Sequence, residues 1–122
     1  MTARRGNPKT RRRHAYATVI HMLLTEEGNE WISQWAVVER CNKDATATRK
    51  EYSEKEIGNY MRTPIKHGFV EKRRVRVGQG YSQTQYRFTP VEDWKQVEIL
   101  RTPNLETWAG LMTEIAGITL TT

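Results

Sequence analysis

The stretch from Ser53 to Pro90 constrains this chain more than any other. Ser53 with Glu56 three residues on is a capping-box signal for a helix start. Ile57, Tyr60, Met61 and Ile65 then recur at helical spacing until Gly68 stops the pattern. From Phe69 to Val77 the side chains alternate, with Phe69, Glu71, Arg73, Val75 and Val77 on one face and Val70, Lys72, Arg74 and Arg76 on the other. Gly78-Gln79-Gly80 supplies a tight turn, and Tyr81 to Thr89 returns with Tyr86 and Phe88 as inward anchors. The residues therefore specify a helix that runs straight into a β-hairpin.

Charge sharpens the pattern. Between Arg62 and Arg87 stand seven basic residues (Arg62, Lys66, Lys72, Arg73, Arg74, Arg76 and Arg87) against the single acid Glu71. Residues 1–13 hold six more, Arg4, Arg5, Lys9, Arg11, Arg12 and Arg13, and no acid. The whole chain is only +6, so the remaining segments are net acidic and the basicity is concentrated in two blocks. Such blocks are the footprint of a polyanion partner rather than a solubility coat. A basic helix leading into a basic hairpin fits a duplex, with the helix in a groove and the hairpin along the backbone.

At about 100° per residue from Ile57, Met61 falls near 40° and Ile65 near 80°. Lys55, Asn59, Arg62 and Lys66 gather on the opposite side, between about 140° and 200°. That face carries cations and one amide, and it is the face expected in the groove. Arg62 suits the paired acceptors of guanine and Asn59 the donor and acceptor of adenine, whereas Lys55 and Lys66 are flexible point charges.

Upstream, Tyr16, Val19, Ile20, Leu23 and Leu24 predict a helix from about Lys9 or Thr10 to Glu27, ended by Gly28-Asn29. Trp31-Ile32 is a candidate short strand. Ser33 is a good N-cap for a helix from Gln34 to about Cys41, with Ala36, Val37 and Cys41 inward. Two points stay open. Pro64 either kinks its helix or ends it near Arg62. The segment between Asn42 and Tyr52 either extends that helix backwards, adding Thr48 and Tyr52 to its outward face, or is an inserted loop. Downstream, Val91 to Arg101 predicts a helix carrying Trp94, Val97 and Leu100. Leu105, Trp108, Leu111, Met112 and Ile115 predict another, stopped at Gly117. This last stripe either completes the core or, through Trp108 and Met112, forms a homodimer contact.

The order helix, short strand, helix, helix ending in His67-Gly68-Phe69-Val70, then a basic hairpin ending Tyr86-Arg87-Phe88-Thr89, resembles the winged helix-turn-helix superfamily over residues 10–90. The resemblance implies an α+β, mostly helical fold with a C-terminal helical extension. It implies that the Ser53–Lys66 helix enters the major groove and that Arg73, Arg74, Arg76, Gln79 and Gln83 form a wing beside it. The 11 residues from Asn42 to Tyr52 are long for the turn of that motif.

The expected organisation is a flexible basic arm over residues 1–13, whose Arg4, Arg5, Arg11, Arg12 and Arg13 neutralise phosphates, a DNA-binding domain over 14–90, and an extension over 91–122. No apolar run approaches the roughly 18–20 residues of a membrane span. The single Cys41 fits a reducing cytoplasm. His14 and His21 lie a heptad apart rather than at the i, i+4 spacing of a metal pair, and no nucleophile–base pattern stands out, so neither a metal, a cofactor nor an enzyme is expected. The reading that follows is a sequence-specific double-stranded DNA-binding protein, a small transcriptional regulator of a prokaryote or mobile element, with no small-molecule effector evident. A replication or partition protein on repeated sites, and a protein-interaction scaffold docking an acidic partner, are the alternatives.

Overall fold

The computed structural model describes residues 8–43, 51–90, 93–94 and 103–119. Among them are four helices and a three-stranded antiparallel sheet, in the order α1 (Pro8–Thr25), β1 (Ile32–Ser33), α2 (Gln34–Lys43), α3 (Glu54–Lys66), β2 (Val70–Gly78), β3 (Tyr81–Phe88) and α4 (Pro103–Ala116). The fold class is α+β. β3 lies between β1 and β2, so the two-residue β1 covers one edge of the hairpin.

α1 turns its predicted stripe inward: Tyr16, Val19, Ile20 and Leu23 are buried, whereas Leu24 is exposed. Its start corrects the expected arm. The helix opens at Pro8, a favoured first helical residue because its missing N–H is an orphan there anyway. Arg11, Arg12 and Arg13 thus belong to the first turns of α1. A 3-10 turn at Glu27–Asn29 follows, with Gly28 at φ 69 and Asn29 at φ 57 in the left-handed region. The Asn29 side chain donates to the Phe88 carbonyl (2.7 Å) and accepts from the Phe88 N–H (3.1 Å), which fastens this turn to the end of β3.

Ser33 caps α2 by accepting from the Ala36 N–H at 3.0 Å. Val37, Val38 and Cys41 go into the core from this helix. Asn42 then grips Tyr52, accepting from its N–H at 2.6 Å and donating to its carbonyl at 3.3 Å. Residues 44–50 lie outside the described chain, but Glu51–Ser53 is not helical and Ser53 is the N-cap of α3. α3 therefore does not extend back through Tyr52, which is buried rather than on an outward face. Thr48 lies outside the described residues.

Pro64 sits inside α3, buried, and the helix continues to Lys66. The exit is a Schellman turn: the Phe69 N–H bonds the Pro64 carbonyl at 2.9 Å and the Gly68 N–H bonds the Ile65 carbonyl at 3.1 Å. Gly68 adopts φ 83, the conformation that such a turn requires. Phe69 and Val70 enter the core at once. In the hairpin Lys72 faces Tyr86, Arg74 faces Thr84 and Arg76 faces Ser82, and the register shifts between Arg76 and Gly78. Tyr86 is fully buried; Phe88 is half-buried against the core.

The expected helix over 91–101 lies outside the described residues except at Asp93 and Trp94, which are not α-helical. Trp94 packs edge-on against Phe69 at 5.2 Å and donates to the Thr89 carbonyl at 2.7 Å. α4 carries the expected stripe, and of the two roles left open for it, core or dimer contact, Trp108 and Met112 take the first. Trp108 and Met112 are both 0% exposed, and Trp108 meets Tyr16 of α1 edge-on at 5.2 Å. These side chains complete the core. Replacing Trp108 by Ala should cost about 3–5 kcal/mol of stability, read from urea unfolding at several protein concentrations. An unchanged midpoint together with a smaller sedimenting species would return the residue to an interface.

Candidate nucleic-acid interface

α3 presents Lys55, Asn59, Arg62 and Lys66 to solvent, because Ile57, Tyr60, Met61 and Pro64 occupy its buried side. The hairpin rises beside this face, and between them lies an open cleft of about 650 Å³. Lys55, Asn59 and Arg62 line it from α3, and Lys72, Arg74 and Gln83 from the hairpin. Lys66, in the last turn of α3, is exposed but outside the lining, as are Arg76 and Gln79.

Strand alternation divides the basic hairpin. Arg74 lies on the cleft side, where its Nε donates to Ser82 Oγ at 2.9 Å and its Nη1 to Thr84 Oγ1 at 3.0 Å. These bonds hold the guanidinium along β3, and an arginine has five N–H donors in all. Arg73 points to the other face. Its Nε donates to Gln85 Oε1 at 2.7 Å and its guanidinium lies 4.2 Å from the centre of the Trp31 ring. Arg87 shares that ring at 4.5 Å and pairs with Glu71 at 2.6 Å. Arg73 therefore stands away from the cleft. Its contact with Trp31 is cation–π packing over the back of the sheet.

The arginines at the start of α1 have other occupations. The Arg11 side chain is only 7% exposed, and it reaches the Glu56 carboxylate with Nε at 2.5 Å and Nη2 at 2.7 Å. It also lies 4.1 Å from the Tyr52 ring centre. Arg12 lies 5.2 Å from the Tyr60 ring, and Arg13 pairs with Glu114 at 2.9 Å on the surface. Arg11 is thus removed from any phosphate contact by burial. Arg4 and Arg5 lie outside the described residues.

Sequence reasoning missed several parts of the cleft. Trp35, from the first turn of α2, lines it and is 51% exposed; Tyr81, at the start of β3, lines it and is 63% exposed. Lys72, Ser82 and Thr84 also belong to it, and they were legible as the residues in step with Arg74 on an alternating strand. Trp35 had a weaker signal. With Val37 as zero, Cys41 falls near 40°, Val38 near 100° and Trp35 near 160°, outside the apolar arc. Among the described residues Glu54 is the single acid lining the cleft. Among the described residues no group of three His, Cys, Asp or Glu side chains could hold a metal, and no helix is long and apolar enough to cross a membrane.

Compared with known proteins, the chain matches no family model, no curated protein and no solved structure. What the cleft can do rests on its own geometry.

Behind α3, Glu56 serves as the hub of a polar cluster. It takes Arg11 and also accepts from the Tyr60 hydroxyl. Burial alone lowers the pKa of a guanidinium, but the hydrogen bonds from Arg11 to Glu56 outweigh it and raise the value. Tyr60 is pushed up to about 12, first by burial and then by its bond to Glu56. Burial likewise raises Tyr16 and Tyr86.

Two outcomes follow. Arg11→Ala leaves the Glu56 carboxylate without its buried partner and should cost about 3–5 kcal/mol, measured by urea unfolding; a loss under about 1 kcal/mol would make the pair a surface one. The tyrosines bind their protons more tightly in the folded state. Their contribution is whole below the ordinary tyrosine pKa of about 10 and is lost as pH rises through the raised values. Stability should therefore fall between about pH 10 and 12, with tyrosinate absorbance appearing together with unfolding. Full tyrosinate absorbance in a still-folded chain would contradict it.

Proposed function

We propose that this chain is a sequence-specific double-stranded DNA-binding protein of the winged helix-turn-helix kind, acting as a small transcriptional regulator of a prokaryote or mobile element. The single observation that carries the reading is the shared cleft. A helix face of Lys55, Asn59 and Arg62 and a hairpin face of Lys72 and Arg74 open on one concave surface. α3 is the element for the major groove, and the hairpin lies along the adjacent backbone. The helix order and the placing of β3 between β1 and β2 support the same reading.

Roles divide by side-chain chemistry. Asn59 and Arg62 each carry two groups able to bond one base edge, adenine and guanine respectively. Lys55, Lys72 and Arg74 serve phosphates, which position the protein without reading sequence. Arg73 has no place in this contact. The shared cleft and its polar lining favour DNA over a scaffold role, because Asn59, Gln83 and the Ser82 and Thr84 hydroxyls suit base and backbone groups.

Asn59 and Arg62 are exposed, so Ala at either should leave thermal stability nearly unchanged. Each change should relax base preference at one position of the selected motif, by about 5- to 150-fold for a lost bidentate pair. Selection from random duplexes with the parent chain and both variants reads this directly. If both variants return the parent motif at full strength, α3 is not the reading element. If the parent selects no motif, binding is not sequence-specific.

A further inference from the structure

We propose that the cleft takes a duplex in which one base is unstacked, and that Trp35 and Tyr81 supply the surfaces on which that base stacks. The proposal rests on the reading of the cleft as a DNA site and goes beyond it by naming the state of the DNA preferred there.

A fully paired duplex offers a protein base edges and thymine methyl groups in its groove, but no ring faces. The two large aromatics of the cleft are poorly used against such a surface. Trp108 is fully buried, Trp94 packs on Phe69, and Trp31 lies under two guanidiniums. Trp35 differs: it is half exposed at 51% and, among the described residues, has no ring or hydrogen-bond partner. Tyr81 is 63% exposed, also without such a partner among the described residues, and follows Gly80 at the hairpin tip, where φ is 65. The two come from different walls, one from α2 and one from the hairpin.

Between them the chemistry suits a nucleotide strand. Lys72 and Arg74 can neutralise flanking phosphates, and Asn59 and Arg62 can bond base edges. α3 approaches α2 closely at Gly58, where a β-carbon would come within 3.2 Å of Gln34 Nε2. Cations beside exposed aromatics are what unstacked nucleic acid needs, since every base has a π-face. Unstacking costs least where pairing is already lost, which makes a duplex with one unpaired base the favoured form.

The test uses the full chain and one labelled duplex sequence, either fully paired or with a single unpaired base moved stepwise along it, followed by anisotropy. One placement should bind about 5- to 150-fold tighter than the paired duplex, the range expected for one stacked base. That complex should quench indole fluorescence. Trp35→Ala and Tyr81→Ala, checked for folding by circular dichroism, should bring the ratio between the two duplexes towards one; Trp35→Phe should restore it. A ratio near one at every placement overturns the proposal while leaving DNA binding intact. So does a gain that survives both alanine variants. Failure to bind any DNA at low salt overturns the DNA reading itself, and this inference with it.

Discussion

Glu56 receives the Arg11 guanidinium through two bonds, at 2.5 and 2.7 Å, in a site where the arginine is 7% exposed and the glutamate 20%. Taking both charges from water is costly, and their attraction repays it only with good geometry and further hydrogen bonds. The Tyr60 hydroxyl supplies one of these to Glu56, while the Arg11 guanidinium lies over the Tyr52 ring. The pair joins the second turn of α1 to the first turn of α3 across 45 residues of chain. It therefore sets where α3 begins and how its outward face is held. The apolar contacts beneath α3 are tolerant of rotation by comparison, since Ile57 and Met61 have no directional partner.

The same pair changes what the net charge means. A formal +6 spread over two basic blocks suggests a wide cationic surface. In the fold, Arg11 is withdrawn, Arg13 is opposed by Glu114, and Arg87 is opposed by Glu71. The Arg13 pair is exposed and the Arg87 pair half-buried, so both add little stability, yet they reduce the positive field where they sit. Arg73 is spent on Trp31. What remains concentrated is the cleft, where Lys55, Arg62, Lys72 and Arg74 face the acid Glu54. The cleft thus sets four cations against one acid among its described lining.

Legibility followed the range of the interactions. Periodicity found the buried sides of α1, α3 and α4 and the inward Tyr86, because burial of one face is a local pattern. The Gly68 stop and the Ser33 and Ser53 caps were legible because caps act within one turn. The capping box at Ser53 was read only in half. Ser53 does accept from the Glu56 N–H at 3.2 Å, but the Glu56 side chain turns to Arg11 and Tyr60. No local rule reveals a partner 45 residues away. The burial of Arg11 was invisible for the same reason, and so it was grouped with a phosphate-binding arm. The role of Trp108 was open between core and interface because an apolar stripe does not say what covers it. In the site, spacing alone gave the exposed face of α3, whereas Trp35 and Tyr81 needed the packing of α2 and the hairpin against α3 to come into view.

That packing makes the cleft an extension of the core rather than a surface feature laid over it. Gln34 donates to the hydroxyl of the fully buried Tyr86 at 2.7 Å, and its amide nitrogen would lie within 3.2 Å of a β-carbon at Gly58. Tyr86 lies opposite both Ile32 of β1 and Lys72 of β2. One hydrogen bond thus links the start of α2 and the middle of the sheet beside a glycine of α3. The Tyr86 hydroxyl is removed from water while Gln34 lies half-buried at the wall of the cleft, so losing Gln34 leaves the hydroxyl without this partner. Neighbouring Trp35 is carried on the same first turn of α2. The Gln34–Tyr86 bond thus ties the wall of the cleft that carries Trp35 to the middle of the sheet, beside α3.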